Sequence, residues 1–248
     1  MIEVKAVRKR FGDQTVLDGI TFSIAKGTVT SIIGRSGGGK SVLLKHLVGL
    51  ETPDSGEVLI GGENLSLLSG PELNRLRRRC GVLFQEGALF DYLSARENVA
   101  FPLREHTKLS AREIDDLADA KLATVGLAGH ETKFPAQISG GMRKRVALAR
   151  ALALDPDIVF FDEPTAGLDP ITKAAIYELI LRTHRERVVT YVIASHDIAG
   201  VFNISDEIMV LWQGKIVARG NPAQMRDDPH PAVRQFVSGS LKGPMTDE

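Results

Sequence analysis

Eight residues, Gly34-Arg35-Ser36-Gly37-Gly38-Gly39-Lys40-Ser41, carry the clearest chemistry in the chain. They follow an apolar run at 29–33 and open a stretch whose Leu43, Leu44, Leu47 and Val48 share one helical face. Glycines at 34, 37, 38 and 39 let backbone N–H groups approach phosphate oxygens closely, and the start of a helix adds partial positive charge. The spacing is G-x-x-x-x-G-K-[ST], which places Lys40 to reach β- and γ-phosphates and the Ser41 hydroxyl to sit on Mg²⁺.

A second chemical group follows Ile158-Val159-Phe160-Phe161, which runs straight into Asp162-Glu163-Pro164. An uninterrupted apolar run predicts a central parallel strand buried on both faces, and open α/β sheets bind ligands at the C-terminal ends of such strands. Asp162 is expected to anchor Mg²⁺ through water. Glu163 is expected to take the proton of an attacking water, a role worth about 10² to 10⁴ in rate. His196, after the apolar run at 188–194, can bond a γ-phosphate and report its loss, or serve a structural role at a strand end. Phe11 can stack on a flat base or pack in a core; its own surroundings in the sequence leave both open.

These residues need elements to hold them. Short β-rich runs at 2–7, 16, 20–24 and 29–33 predict a small sheet that feeds the glycine-rich loop. Pro53-Asp54-Ser55-Gly56 turns the chain into a strand at 57–60, Gly61-Gly62 follows like a hairpin turn, and 71–79 reads as helical. Residues 82–84 form a buried-strand candidate that ends at Gln85. From Glu86 to Thr132 the β-rich runs vanish, and helices are expected at 95–104 and 111–125, with Pro102 as a kink or stop. A further helix runs from the segment 134–141 to about residue 154, with Met142, Val146, Ala149 and Ala153 on one face. A hairpin around Gln213-Gly214 and short helices near 222–226 and 232–238 close the chain.

Composition narrows the function. Lys and Arg number 31 against 31 Asp and Glu, so no global field draws nucleic acid or an anionic membrane surface. The cluster Arg75, Arg77, Arg78 and Arg79 lacks interleaved aromatics and reads as a solvated helix face. A single cysteine, Cys80, excludes an intramolecular disulfide framework and reads as a small packed residue. No run has the character of a signal peptide or the length of a membrane span, so a soluble intracellular protein is expected, one that serves a membrane from the side.

Ile138-Ser139-Gly140-Gly141-Met142, about twenty residues before Asp162-Glu163, joins Gln85, Ala166-Gly167-Leu168-Asp169 and His196 in an order that resembles the ATPase subunits of ABC transporters over nearly the whole chain. The resemblance implies an α/β fold, a P-loop NTPase (RecA-like) core with an N-terminal antiparallel β-subdomain and an inserted α-helical subdomain. It implies one ATPase domain over 1–240, with the helical insert at about 86–155 and a disordered tail at 241–248. Phe11 becomes the adenine-stacking aromatic, Gln85 the sensor of Mg²⁺ and water, Ser139 to Gly141 the signature, and Asp169 part of a loop that crosses a dimer interface. Glu163, His196 and Gln85 are then the catalytic set, and Ser41, Gln85 and Asp162 the Mg²⁺ set.

The signature has its own physics: a serine and two glycines expose a helix N-terminus whose dipole and free N–H groups can receive the γ-phosphate of ATP. In this family that ATP lies on a second copy, so the active form is a head-to-tail pair with two ATP molecules between subunits. Met142-Arg143-Lys144-Arg145 departs from the usual pattern, which has Gln after the glycines, while Ile138 replaces the usual Leu conservatively. The run Gly-Gly-Met-Arg-Lys-Arg, with residues 84–91, 97–103 and 233–236, is similar to the branch serving Mla/MCE-type phospholipid transporters. That likeness implies a permease in the inner membrane, an MCE-type substrate-binding subunit, a peripheral place on the cytoplasmic side and no nucleic-acid partner. The alternatives are an importer of a small solute such as an amino acid, and a non-transport ATPase acting on ribosomes or DNA.

Overall fold

Alternating apolar and polar residues at the start of the chain fold as β1 (Ile2–Phe11) and β2 (Gln14–Ile24), antiparallel and joined by the two-residue turn Gly12-Asp13. The computed structural model describes residues 2–246. β1 also pairs antiparallel with β4 (Ser55–Ile60), which pairs with β5 (Glu63–Asn64), giving the sheet order β2-β1-β4-β5. The expected antiparallel subdomain is this sheet.

The same compact unit, which runs to Asn74 and resumes at Thr190, holds a second sheet region. β3 (Val29–Ile33) is buried throughout and lies parallel to β8 (Thr190–Ser195) and β9 (Glu207–Trp212). β10 (Lys215–Gly220) returns antiparallel on β9. Runs with no polar alternation become strands covered on both faces, as their composition requires. α1 (Lys40–Leu47) follows β3 and turns Leu43, Leu44 and Leu47 inward. α2 (Gly70–Arg77) comes after β5, with Leu76 as its buried residue. α7 (Ile198–Ile204), α8 (Pro222–Arg226) and α9 (Pro231–Ser238) close a core of Ile33, Val201, Phe202, Ile208, Val210, Met225 and Val233.

The second unit, Arg75–Val189, is built on the parallel pair β6 (Cys80–Leu83) and β7 (Ile158–Asp162), with Leu83 opposite Phe161. Its helices are α3 (Ala95–His106), α4 (Ala111–Thr124), α5 (Gly140–Ala151) and α6 (Pro170–Glu186). Capping boxes Ser94/Glu97 and Ser110/Glu113 fix where α3 and α4 begin. Pro102 does not stop α3, which continues to His106. A proline removes one N–H and can be carried by a helix whose other bonds and packing hold, and Val99, Ala100 and Leu103 are buried beside it. α6, 17 residues long, occupies a stretch left without an expected element; Asp169 as N-cap and Pro170 at its first position were the signals present.

Beyond α9 the chain folds back. Buried Gln235 donates to the Ser240 carbonyl at 3.2 Å and to Thr246 Oγ1 at 3.1 Å, and accepts from the Met245 amide at 2.7 Å. Met245 is buried and, with Thr246, is bonded to Gln235, so this part of the stretch expected to be a loose tail is tied to α9 by a glutamine inside the helix. Residues 247 and 248 of that expected tail lie outside the described residues. Among the described residues no helix is long and apolar enough to cross a membrane.

Candidate nucleotide site

In the first unit, the C-terminal end of β3 delivers the glycine-rich loop. Gly39 stands at the N-cap of α1 with φ 94°, a left-handed conformation that a side chain would strain, and it offers no side-chain cap to the helix N-terminus. No acidic residue lies in the first turn of α1. Lys40 is buried, and its ammonium donates to the Gly34 carbonyl at 2.8 Å and the Arg35 carbonyl at 2.9 Å, so its charge sits inside the loop. A Cβ on Gly34 would meet the Leu211 carbonyl oxygen at 2.4 Å, and one on Gly38 the Arg35 carbonyl oxygen at 3.0 Å. Arg35, Ser36 and Gly37 are exposed along the loop, and Ser41 is half-buried at the second position of the helix. Loop N–H groups, an interior ammonium and a hydroxyl form a donor set that fits a polyphosphate.

His196 follows β8, whose Ser195 lies opposite Ile33 of β3, so the structure puts it at the same strand edge as the loop. Its side chain is exposed, and the following Asp197 caps α7 by accepting from the Gly200 amide at 3.2 Å. Phe11 ends β1 at 47% exposure with the Lys9 ammonium 5.2 Å from its ring centroid, which excludes the core-packing reading.

In the second unit, Leu83 and Phe161 are partners, so Gln85 and the Asp162-Glu163 pair leave neighbouring parallel strands at the same end. Asp162 and Glu163 are both buried. Glu163 has φ 48°, a conformation that costs a non-glycine residue on the order of 1 kcal/mol and that clusters at functional sites. Gln85 presents an exposed side chain, while its carbonyl accepts from the Lys144 ammonium. Hydroxyl, amide and carboxylate oxygens at Ser41, Gln85 and Asp162 are of the hard kind that suits Mg²⁺.

Ser139 caps α5, its hydroxyl accepting from the Met142 amide at 3.2 Å. A Cβ on Gly141 would stand 2.6 Å from Thr172 Cγ2 of α6, so this glycine lets two helix starts approach. Asp169 caps α6, accepting from the Ile171 and Thr172 amides at 3.0 Å each and from the Thr172 hydroxyl at 2.5 Å. The Thr172 hydroxyl and those amides hold the Asp169 carboxyl below the usual range. Signature and Asp169 thus form one cluster through Gly141 and Thr172.

Residues that sequence reasoning passed over support these groups. Lys144 and Arg150 of α5 bond the backbone after β6, Arg150 reaching the Gly87 carbonyl at 2.6 Å and the Ala88 carbonyl at 2.7 Å. Buried Asn98 holds the loop before α3, accepting from the Phe90 amide at 2.9 Å and donating to the carbonyls of Phe90, Leu93 and Ser94 at 3.0 to 3.1 Å. A lone basic residue or asparagine on a helix gives no sequence signal of which carbonyl it will find. For Cys80, burial pushes the thiol up to about 12, in keeping with a packed residue rather than a nucleophile.

Residues 17–166 match the family model for ABC transporters. The chain is 41% identical over 245 residues, 99% of its own length and 91% of the relative's, to the intermembrane phospholipid transport system ATP-binding protein MlaF of Escherichia coli K12. It is 43% identical over 244 residues, 98% of its length and 68% of the relative's, to the probable ribonucleotide transport ATP-binding protein mkl of Mycobacterium tuberculosis H37Rv. Among solved structures, a dimeric ATP-binding cassette in a post-hydrolysis state with ADP and phosphate superposes with a TM-score of 0.82 at 33% identity, covering 90% of this chain and 99% of that one.

Proposed function

Since this chain belongs to the ABC transporter family as one of its ATPases, we propose that it drives a transporter that moves phospholipids between membranes, of the kind that maintains outer-membrane lipid asymmetry. The observation that carries the cargo is the near-full-length likeness to MlaF. A likeness of similar strength to a relative named for ribonucleotide transport favours, as second reading, an importer of a small polar solute.

ATP supplies a phosphoryl group whose transfer to water releases ADP and phosphate. Lys40 and the loop amides of 34–39 hold the β- and γ-phosphates, and Phe11 stacks on the base. Ser41, Asp162 and Gln85 would hold Mg²⁺, which would offset charge on the transferring group. Glu163 accepts the proton of the attacking water, and His196 bonds the γ-phosphate. Ser139, Gly140 and Gly141 receive the γ-phosphate of ATP on a second copy, and Asp169 lines the seam between copies. The dimeric cassette that superposes on this chain supports the pairing.

The permease docks, in this reading, beside Gln85 on the cytoplasmic side of the inner membrane, with an MCE-type subunit completing the transporter. Tyr92 is 74% exposed, and Phe90 stacks on Tyr92 and Phe101 with centroids 5.7 and 4.8 Å apart, an aromatic cluster of the kind that anchors interfaces. Asn98 pins the loop that carries it.

The test pairs chemistry with cargo. Glu163→Gln is expected to bind ATP and to slow turnover by about 10²-fold or more. In proteoliposomes holding the whole transporter, wild-type turnover should rise with phospholipid and not with ribonucleotide or amino acid. Stimulation by a small solute alone would select the second reading.

A further inference from the structure

The basic run Arg143-Lys144-Arg145 follows the signature after Met142, and each of its three side chains donates to a backbone carbonyl. Arg143 donates to the Ile138 carbonyl at 3.2 Å and the Pro135 carbonyl at 3.4 Å, on the turn before α5. Arg145 donates to the Val125 carbonyl at 3.3 Å, at the end of α4. Lys144 is buried at 7% exposure and donates to the carbonyl of Gln85. Further along the same helix, Arg150 takes the carbonyls of Gly87 and Ala88 in the loop that follows Gln85. Ala88 has φ 48°, a conformation unfavourable to a residue with a side chain, so this is a strained turn held by charge-assisted bonds.

We propose that Lys144 is a positioning residue for hydrolysis, which fixes the backbone of Gln85 to the helix that begins with the signature. Three carboxylates, Glu86, Asp162 and Glu163, lie close enough to act on its charge; burial lowers the Lys144 ammonium's pKa and those carboxylates raise it in part. A buried cation among three acids costs too much to keep as mere filling unless it is hydrogen-bonded, and its bond goes to Gln85. A displacement of Gln85 at the start of its loop carries into the side chain that meets Mg²⁺ and water, and a misplacement of about 1 Å in such a group costs on the order of 10²-fold in rate. The residue acts through Gln85 and does not touch ATP itself. The inference rests on the ATPase reading only for its kinetic consequence; the anchoring stands on geometry.

The experiment uses the full chain with Lys144→Met, Lys144→Arg and Gln85→Ala, singly and with Lys144→Met combined with Gln85→Ala. Hydrogen exchange at amides 85–88 is expected to accelerate about tenfold in Lys144→Met and to recover in Lys144→Arg, whose guanidinium can donate to the same carbonyl. ATP turnover should fall about tenfold or more in Lys144→Met with KM for ATP changed less than about threefold, because the Lys40 loop is untouched. In the Gln85→Ala background the same substitution should add little. Unchanged exchange at 85–88 in Lys144→Met overturns the anchoring. Turnover losses that multiply in the double variant overturn action through Gln85, as does a matching loss of thermal stability in both Lys144 variants. A wild-type chain that does not hydrolyse ATP sinks the functional reading instead, and leaves the exchange result to decide on Lys144.

Discussion

Two helix starts in this chain are rich in glycine, and they are built differently. α1 opens on Gly39, which cannot cap it, and its first residue is a lysine whose ammonium lies inside the preceding loop. α5 opens on Ser139, which does cap it, and the second of its glycines, Gly141, serves the close approach of Thr172 as much as exposure of amides. The first carries its own counter-charge beside the helix start. The second is a helix start already capped by its own serine. In the proposed reading this difference makes the first a phosphate site of its own chain and the second a receiver for the phosphate held by another copy.

The comparison breaks most visibly at the lysine. Lys40→Ala should weaken ATP binding by about 10-fold to 100-fold, read by nucleotide titration, because a charge-assisted contact to phosphate is lost. Ser139→Ala should leave that affinity for the single chain unchanged. Next in size, Gly141→Val should lower stability by about 1 to 3 kcal/mol in denaturant melts, since its Cβ would meet Thr172 at 2.6 Å. Gly37→Ala has nothing within 4 Å of its Cβ, so there the cost is only the strain of φ 76°, about 1 kcal/mol. Loss of the cap in Ser139→Ala should cost about 1 kcal/mol as well.

The smallest effect concerns the far end of α1. His46 is buried, and its Nδ1 lies 2.7 Å from the Val42 carbonyl oxygen. Burial lowers its pKa from the ordinary 6.5, so the folded chain binds the proton less readily than the unfolded one. The stability this provides is complete above the unfolded value of about 6.5 and declines as pH falls below it toward the lower folded value. Thermal melts in buffers from about pH 7.5 to 5.5 should show the decline, and His46→Leu should flatten it.

What the sequence made legible follows from range. The phosphate loop, the buried strands and the ends that carry Gln85, Asp162, Glu163 and His196 were readable because each is a local pattern: glycine spacing, an unbroken apolar run, a polar residue at its end. The helix of residues 170–186 drew no expectation, although Asp169-Pro170 announced its start and Ile176, Leu179 and Ile180 recur at helical spacing. Lys144, Arg150, Asn98 and Gln235 act on backbone carbonyls and amides elsewhere in the chain, and residue type alone carries no trace of such a partner. The same limit applied to Pro102, whose neighbours' packing decides that the helix goes on.

The central claim, that catalysis needs a lysine loop from one copy and a signature from another, is tested most directly by mixing two inactive chains in the assembled transporter. One carries Lys40→Ala and the other Gly140→Trp, a side chain too large for phosphate to approach the α5 amides. Each alone should be silent, and the mixture should recover measurable ATP turnover, because pairing leaves one site with an intact loop facing an intact signature. A mixture as silent as its parts, with the two chains shown to pair, would contradict the sharing of sites.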